Sequence, residues 1–292
     1  LVIIGELRRF GVEQLLALRM KGASVGEPHQ LMMTATPIPR TLSMSYYADL
    51  DISVIDELPP GRTPIVTRLI ADARRDEVID RVRKACEKGA QAYWVCPLIE
   101  ESEKLQLQTA METFASIQTT FPDLKVGLVH GRLKPAEKAA VMSAFQKNEI
   151  QLLVATTVIE VGVDVPNASL MIIDHAERMG LSQLHQLRGR VGRGAEKSSC
   201  ILLYQTPLSE QARERLKVVY ESTDGFIIAE ADLRLRGPGE FLGSRQSGAA
   251  MLRFADLNLD ADLLEAAQKT AEDLLQHQPE VAEQHLKRWL SS

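Results

Sequence analysis

Residues 126–155 read VGLVHGRLKPAEKAAVMSAFQKNEIQLLVA. The stretch opens with a short apolar run, continues with a segment of helical spacing from Pro135, and closes with a second apolar run. Proline is favoured at the first position of a helix, so Pro135 marks where the helix begins. Two apolar strands joined by one helix form a βαβ unit, which predicts that the two strands pair in parallel.

The same alternation extends on both sides of this unit. Further strands are predicted at Leu1–Ile4, Gln30–Met33, Ile65–Ile70, Ala92–Cys96, Leu170–Ile173 and Cys200–Tyr204. Helices are predicted at Pro39–Ala48, Arg75–Lys88, Glu103–Phe121, Pro135–Asn148 and Leu181–Val191. Alternating strands and helices predict a parallel sheet covered on both faces. After Tyr204 the pattern changes, and consecutive helices are predicted at Ser209–Ser222, at Gly225–Leu235 and in the tail that ends near Leu290.

Length and composition are those of a globular chain. The 292 residues leave room for about two domains, and 45% are hydrophobic and 25% charged. No apolar run approaches the ~20 residues that a membrane helix needs. Because a buried strand begins at residue 1 without the features of a signal peptide, we expect the chain to come from a longer protein. Three widely spaced cysteines without a CxxC pair favour buried thiols and the cytoplasm.

The distribution of charge is more informative than the net value of −5. Residues 178–253 carry 12 Lys/Arg and 8 Asp/Glu, whereas residues 255–292 carry 3 and 8. The basic excess therefore falls in the part of the chain that also contains glycine-arginine motifs. This distribution keeps a nucleic-acid partner open although the net charge alone disfavours one.

Ligands of an open parallel sheet bind at the carboxyl ends of the strands, so the loops that follow the strands are examined first. In the loop Thr156–Pro166, the hydroxyls of Thr156 and Thr157 can bind a phosphate. Gly162 permits close backbone approach, and Asp164 can accept a hydrogen bond from a sugar hydroxyl. An ordinary β–α loop is the alternative interpretation.

A second loop, Gln186–Gly194, contains three arginines and three glycines within nine residues. Arginine binds phosphate oxygens in a bidentate manner, and packing does not readily explain so many arginines. The motif therefore predicts an arginine finger that stabilises a transferring γ-phosphoryl group. A solvated basic turn is the alternative.

Two further motifs lie before and after these loops in the chain, and the first of them is weak by itself. Thr34 and Thr36 place hydroxyls after a predicted strand. Hydroxyls at the tip of a strand can pass a change in phosphate state to a neighbouring element of the fold. The segment Asp232–Gly248 is punctuated by glycines and includes Arg236, Arg245 and Gln246. A basic surface loop is the alternative interpretation of this segment.

Taken in chain order, the four segments resemble motifs III, V and VI of superfamily 2 helicases, followed by the translocation motif of RecG and the transcription-repair coupling factor. Residues 93–103 resemble the RecG form of motif IV, and Val129-His130-Gly131-Arg132 resembles motif IVa. The similarity to RecG-type helicases covers nearly the whole chain. Its motifs are specific as a set.

The resemblance implies an α/β fold built on the parallel sheet of RecA-like P-loop NTPases, with the second helicase lobe complete and the first partial. Residues 1–66 would form the end of the first lobe with motifs II and III. Residues 67–208 would form the second lobe with motifs IV to VI. Residues 209–292 would carry a helical hairpin, the translocation loop and C-terminal helices.

The resemblance also implies an ATP-dependent translocase that reverses stalled forks and migrates Holliday junctions in DNA recombination and repair. Its cofactors would be ATP and Mg²⁺, and its partner branched double-stranded DNA, with single-strand-binding protein as a candidate and no membrane. The residues implied in catalysis are Glu6, Arg190 and Arg193, and those in ATP binding are Gly162, Asp164, Gln186, Arg190 and Arg193. DNA contacts and translocation would involve Thr34, Thr36, His130, Gly131, Arg132, Thr156, Thr157, Arg236, Arg245 and Gln246.

Two departures from the family pattern matter for activity. No G-x-x-x-x-G-K-[ST] sequence occurs in the chain, so the phosphate-binding loop would lie upstream. Motif II of the family is Asp-Glu-x-His, but this chain has Gly5-Glu6-Leu7-Arg8, so Gly5 stands where the Mg²⁺-binding aspartate is expected and no metal ligand is predicted. We therefore expect the chain alone to be inactive.

Three other functions are compatible with parts of the sequence. A transcription-repair coupling motor shares the motifs, but Val54–Pro64 and the Trp94 segment favour RecG. A non-catalytic DNA-docking module is favoured only by Gly5, and Asp164, Arg190 and Arg193 argue against it. A metabolic α/β enzyme is disfavoured because the chain has neither a nucleophile–base pair nor a dinucleotide-binding G-x-G-x-x-G.

Overall fold

A computed structural model describes residues 1–5, 28–35, 51–55, 57, 64–96, 103–156, 165–194, 197–236 and 260–290. The predicted helix Pro39–Ala48 lies outside these residues, as do several predicted site residues. Those site residues are Glu6, Thr36, Thr157, Gly162, Asp164, Arg245 and Gln246. Arg236 is described only as the last residue of a helix.

Six parallel strands form the main sheet, in the order β3-β8-β7-β4-β6-β5. They are β3 (Val66–Ala71), β4 (Gln91–Val95), β5 (Val126–Val129), β6 (Leu152–Ala155), β7 (Ala168–Ile173) and β8 (Ser199–Tyr204). The parallel α/β fold predicted from the sequence is thus confirmed.

Helices connect and follow these strands. They are α1 (Arg75–Glu87), α2 (Glu103–Thr120), α3 (Pro135–Gln146), α4 (Leu181–Arg188), α5 (Glu210–Glu221), α6 (Gly225–Arg236), α7 (Leu264–His277) and α8 (Pro279–Leu290). Short 3-10 turns lie at Asp72–Arg74, Ala176–Arg178 and Ala261–Leu263. None of the helices in the described part of the chain is long and apolar enough to cross a membrane.

The central strands separate two hydrophobic clusters because successive side chains of a strand point to opposite faces. Tyr93 and Val95 of β4 join the cluster that contains residues of α3, α4, α5 and α6. Ala92 and Trp94 of the same strand join the cluster that contains residues of α1 and α2. Since both faces are covered, β4 is apolar along almost its whole length rather than alternating with polar residues.

Two further strands, β1 (Val2–Ile4) and β2 (Gln30–Met32), pair in parallel with each other. Val2 N donates a 2.8 Å hydrogen bond to His29 O, and Met33 N donates a 2.8 Å bond to Ile4 O. Gly5 and Thr34 therefore follow neighbouring strands at the same end of this pair. The division of the chain into residues 1–66, 67–208 and 209–292 stays a prediction.

The helix predicted at Leu181–Val191 was placed too long at its C-terminal end. It ends at Arg188, and the Gly189 amide bonds to both His185 O and Leu187 O. Gly192 then adopts φ +80°, a conformation that favours glycine and that a right-handed helix cannot contain. Residues 189–194, named the arginine loop below, therefore form a turn beyond the helix.

Candidate functional site at the carboxyl edge of the sheet

Backbone hydrogen bonds align the tips of four neighbouring strands. Thr156 N donates to Val129 O (3.2 Å), and Cys96 N donates to Ala155 O (2.8 Å). Asp174 N then donates to the oxygen of Val95 at 2.9 Å. The segments that follow β5, β6, β4 and β7 consequently begin at one edge of the sheet, where the parallel fold positions ligands.

Thr156 is the first predicted site residue at this edge. It is only 3% exposed, and its hydroxyl Oγ1 makes no hydrogen bond among the described residues. An unsatisfied buried hydroxyl costs about 1–3 kcal/mol. A ligand oxygen at this edge would supply the missing partner.

The turn after β5 contains three more predicted site residues, His130, Gly131 and Arg132. Arg132 N donates a 3.2 Å hydrogen bond to His130 Nδ1, which closes the turn. Burial, and after it the charge of Arg132, lowers the pKa of His130 below its usual value. Arg132 and the following Lys134 are exposed. The turn therefore presents positive charge from Arg132 and Lys134 beside a histidine whose protonated form is disfavoured.

Helix α4 and the arginine loop hold Gln186, Arg190 and Arg193. The helix buries Leu181, Leu184 and Leu187, which anchor it against the sheet. Gln186 and Arg190 are half-buried, whereas Arg193 is exposed. The Arg190 amide donates a 3.0 Å bond to Leu187 O, so the loop begins with a tight turn directly at the end of the helix.

The arginine loop ends against Pro166, the last residue of the loop Thr156–Pro166. A β-carbon added to Gly194 would overlap the backbone carbonyl oxygen of Pro166. Because the obstacle is backbone rather than a flexible side chain, only glycine fits here without movement. Residues 165–166 and the arginine loop are therefore in close contact, although they lie almost thirty positions apart.

Arg188 departs from the sequence interpretation of this motif. The expectation that packing does not explain the arginines is wrong for Arg188, which is 2% exposed and bonds to residues of β3 and α5. The residues Arg190 and Arg193 on the turn beyond it are not buried in this way. Of the three arginines of the motif, Arg188 alone is therefore enclosed by the fold.

A charged network around the buried Asp174 lies at the same edge and was not predicted from the sequence. Asp174 follows β7, and its Oδ2 accepts a 2.6 Å hydrogen bond from Trp94 Nε1. Its Oδ1 accepts a 2.5 Å bond from Arg75 Nη2, and the guanidinium also lies over the Trp94 ring. Burial lowers the pKa of Arg75, but bonds to Asp174 and Asp72 outweigh it and hold that pKa above its usual value.

This network lines a cavity of about 300 Å³ together with Cys96 and hydroxyl groups of α2. Burial raises the pKa of the Cys96 thiol to about 12, so this thiol is not a nucleophile near neutral pH. The one available sequence signal for the network was an acidic residue directly after the apolar run Leu170–Ile173. A single carboxylate at a strand end is too common to predict such a network.

A magnesium site does not fit the end of β1. Gly5 offers no carboxylate, and a β-carbon built there meets no atom of the described residues within 4 Å. In the ranges that the structure describes, no group of three His, Cys, Asp or Glu residues is arranged to hold a metal. Glu6 lies outside those ranges.

Comparisons with known proteins point to one family. The model of the helicase conserved C-terminal domain matches residues 74–195, and the model of the C-terminal part of domain 3 of the ATP-dependent DNA helicase RecG matches residues 222–288. RecG from Escherichia coli O157:H7 is 61% identical over 99% of this chain, and RecG from Acidithiobacillus ferridurans is 60% identical over 100%. This chain spans 42% of the length of each.

A solved structure of RecG bound to a three-way DNA junction is also similar. It matches with a TM-score of 0.68 and 43% identity, over 90% of this chain and 33% of that chain. The match to the RecG domain 3 model favours RecG over the transcription-repair coupling factor as the relative. The predicted resemblance is confirmed: the chain belongs to the RecG family of ATP-dependent DNA helicases and matches part of its relatives' length.

Proposed function

We propose that this chain is the C-terminal motor part of an ATP-dependent helicase that acts on branched DNA in recombination and repair. The observation that carries the proposal is the contact between Gly194 and the Pro166 carbonyl. It brings the arginine loop against the end of the segment that carries Gly162 and Asp164. The two motifs would then lie close enough together to contact one nucleotide.

ATP would be bound by the arginine loop from one side. Arg190 and Arg193 would contact the γ-phosphate, where arginine stabilises charge that develops in the transition state. Gln186, Gly162 and Asp164 would hold the rest of the nucleotide. The phosphate-binding loop is not in these 292 residues, so hydrolysis requires a complete first lobe that supplies it.

Branched DNA would run along the carboxyl edge of the sheet. The turns that begin at this edge contain His130, Gly131, Arg132 and Thr156. The hydroxyl of Thr156 makes no hydrogen bond to another described residue. Thr34, Thr36 and Thr157 would extend these backbone contacts. Arg236, Arg245 and Gln246 would convert closure of the lobes into movement along the duplex. Single-strand-binding protein is a candidate partner, and the cytoplasm is the proposed location.

Magnesium is expected for the family, but Gly5 does not fit it. Without a carboxylate at this position, the metal lacks the ligand that the family pattern supplies, so no role in this chain is assigned to it. We propose that the chain, even when joined to a complete first lobe, hydrolyses ATP poorly.

The deciding experiment uses a full-length chimera in which residues 1–292 replace the matching segment of RecG from E. coli O157:H7. ATP turnover on forked DNA is measured with Gly5 and with Gly5→Asp. We expect turnover only with Gly5→Asp, because it restores the carboxylate of motif II and a β-carbon at position 5 meets no described atom within 4 Å. Strong turnover with Gly5 in place would contradict the interpretation of motif II.

A non-catalytic DNA-docking module is the second candidate, and Gly5 is the observation that favours it. The same chimera separates the two functions. If both forms bind forked DNA tightly and neither hydrolyses ATP, docking is the better description and the helicase proposal fails.

A further inference from the structure

Arg188 carries a buried charge without a carboxylate partner. Arg188 is only 2% exposed. Among the described residues, no Asp or Glu forms an ion pair with its guanidinium. Burial lowers the pKa of this guanidinium below its usual value. A buried charge costs several kcal/mol unless its surroundings compensate it.

The C-terminal end of α5 provides the compensation. Arg188 Nη1 donates hydrogen bonds of 2.7 Å to Val219 O and 2.8 Å to Ser222 O. Since α5 ends at Glu221, Val219 O is one of the last four carbonyls, which have no partner inside the helix. The guanidinium therefore caps α5 from outside, at the negative end of the helix dipole.

The same guanidinium is held from its own helix and from the sheet. Arg188 Nη2 lies 3.1 Å from His185 Nδ1, and Nη1 lies 3.3 Å from Thr67 Oγ1. Because a guanidinium can only donate, His185 Nδ1 must accept, and the neutral ring carries its proton on Nε2. His185 and Arg188 form the last turn of α4, directly before the arginine loop.

A second side-chain bond joins α4 to the hairpin formed by α5 and α6. Ser182 Oγ, in the first turn of α4, donates a 3.0 Å hydrogen bond to Asp232 Oδ2 of α6. Asp232 is buried, so this bond is shielded from water. Helix α4 is thus tied to the hairpin at both of its ends.

We propose that Arg188 is a positioning residue that fastens the arginine loop to the C-terminal end of α5, and does not itself bind phosphate. Its effect on ATP turnover rests on the proposed function of Arg190 and Arg193. The loop begins one residue after Arg188, so any movement of the α5 end is passed to the loop through this guanidinium. Arg188 thereby links the position of Arg190 and Arg193, the arginines proposed to contact phosphate, to the position of the hairpin formed by α5 and α6.

The first test does not need ATP turnover. Amide hydrogen exchange is measured in the full-length chimera for Arg188→Met, for Arg188→Lys and for the control Arg178→Met, whose side chain is 50% exposed. We expect faster exchange in residues 189–194 and 219–224 of Arg188→Met, with β7 and β8 unchanged and the control like the parent. Unchanged exchange in residues 189–194 would overturn the proposal.

If Arg188→Met exchanges faster throughout β7 and β8, the substitution has unfolded the lobe and Arg188→Lys decides instead. Lysine keeps the buried charge but lacks the planar fork that reaches the α5 carbonyls and His185 together. Locally faster exchange in Arg188→Lys supports the proposal, and exchange like that of the parent overturns it.

The second test separates positioning from phosphate binding in the Gly5→Asp chimera. Displacing a catalytic group lowers kcat, and we expect a loss of about 10- to 100-fold in Arg188→Met with little change in KM for ATP. A large increase in KM with kcat retained would indicate direct binding and refute the positioning role. If the parent chimera has no turnover, the proposed function fails, whereas the exchange result still judges the Arg188 link.

Discussion

Trp94 Nε1 donates a 2.6 Å hydrogen bond to Asp174 Oδ2, across 80 positions of sequence. Arg75 completes the network by binding the other oxygen of the same carboxylate. The Asp174 carboxylate, directly after β7, thus joins Trp94 of β4 to Arg75 of α1, the helix that follows β3. It also lies just before the 3-10 turn and helix that lead to the arginine loop.

Replacing Asp174 with asparagine should destabilise the chain. The amide oxygen can still accept from Trp94, but the half-exposed Arg75 keeps only Asp72 as a charged partner. We expect a loss of about 1–3 kcal/mol in the free energy of unfolding, measured by urea denaturation. Asp123→Asn, at an exposed position, serves as the control. If the two substitutions shift the unfolding midpoint equally, the network contributes nothing to stability.

Gly194→Ala should disturb the contact between the arginine loop and Pro166. The added methyl group overlaps a backbone oxygen, which can yield only by moving one of the two segments. We expect a stability loss of about 1–3 kcal/mol from this overpacking, measured by thermal unfolding. Gly5→Ala is the matched control because its β-carbon meets no atom of the described part of the chain within 4 Å. A Gly194→Ala chain as stable as the control would show that the two segments separate at no cost.

Arg193→Ala should abolish most ATP turnover in the Gly5→Asp chimera while binding to forked DNA is retained. An arginine finger acts on the charge of the transition state, and its loss typically costs about 10³- to 10⁵-fold in kcat. Steady-state turnover and DNA-binding titrations measure the two effects separately. Turnover at the parent rate would remove the finger role from Arg193.

Gln246→Ala should uncouple ATP hydrolysis from movement on DNA. The residue belongs to the glycine-punctuated segment after α6 that resembles the translocation motif. In the Gly5→Asp chimera, we expect DNA-stimulated hydrolysis to continue while fork unwinding is lost. Normal fork unwinding by Gln246→Ala would exclude this residue from translocation.

The three cysteines should be unreactive in the folded chain. Burial raises the pKa of Cys96 and Cys200 to about 12 and that of Cys86 to about 11. At about pH 8 almost no thiolate is then present, and a thiol reagent also lacks access. A colorimetric thiol titration should detect no thiol before denaturation and three after it. Rapid reaction of any thiol in the native chain would contradict the burial described here.

The βαβ pattern could be predicted from the sequence because both faces of the sheet are covered. Strands such as Leu152–Ala155 are then uniformly apolar and short, and Pro135 marks its helix without tertiary information. The order of the strands was not predictable, since β8 inserts between β3 and β7 through contacts far apart in sequence. The end of α4 was also misjudged, because Val191 continues the apolar spacing although the backbone has already turned at Gly189.

The sequence by itself determined the parallel α/β class, the resemblance to RecG and the absence of a carboxylate at position 5, because local patterns and residue identities carry these properties. Only the tertiary structure decided which arginine of the 186–194 motif is buried. Arg188 differs from Arg190 and Arg193 because the end of α5, some thirty residues later, supplies the carbonyls that accept its hydrogen bonds. The role of Asp174 was likewise decided by Trp94 and Arg75, which only folding brings beside it.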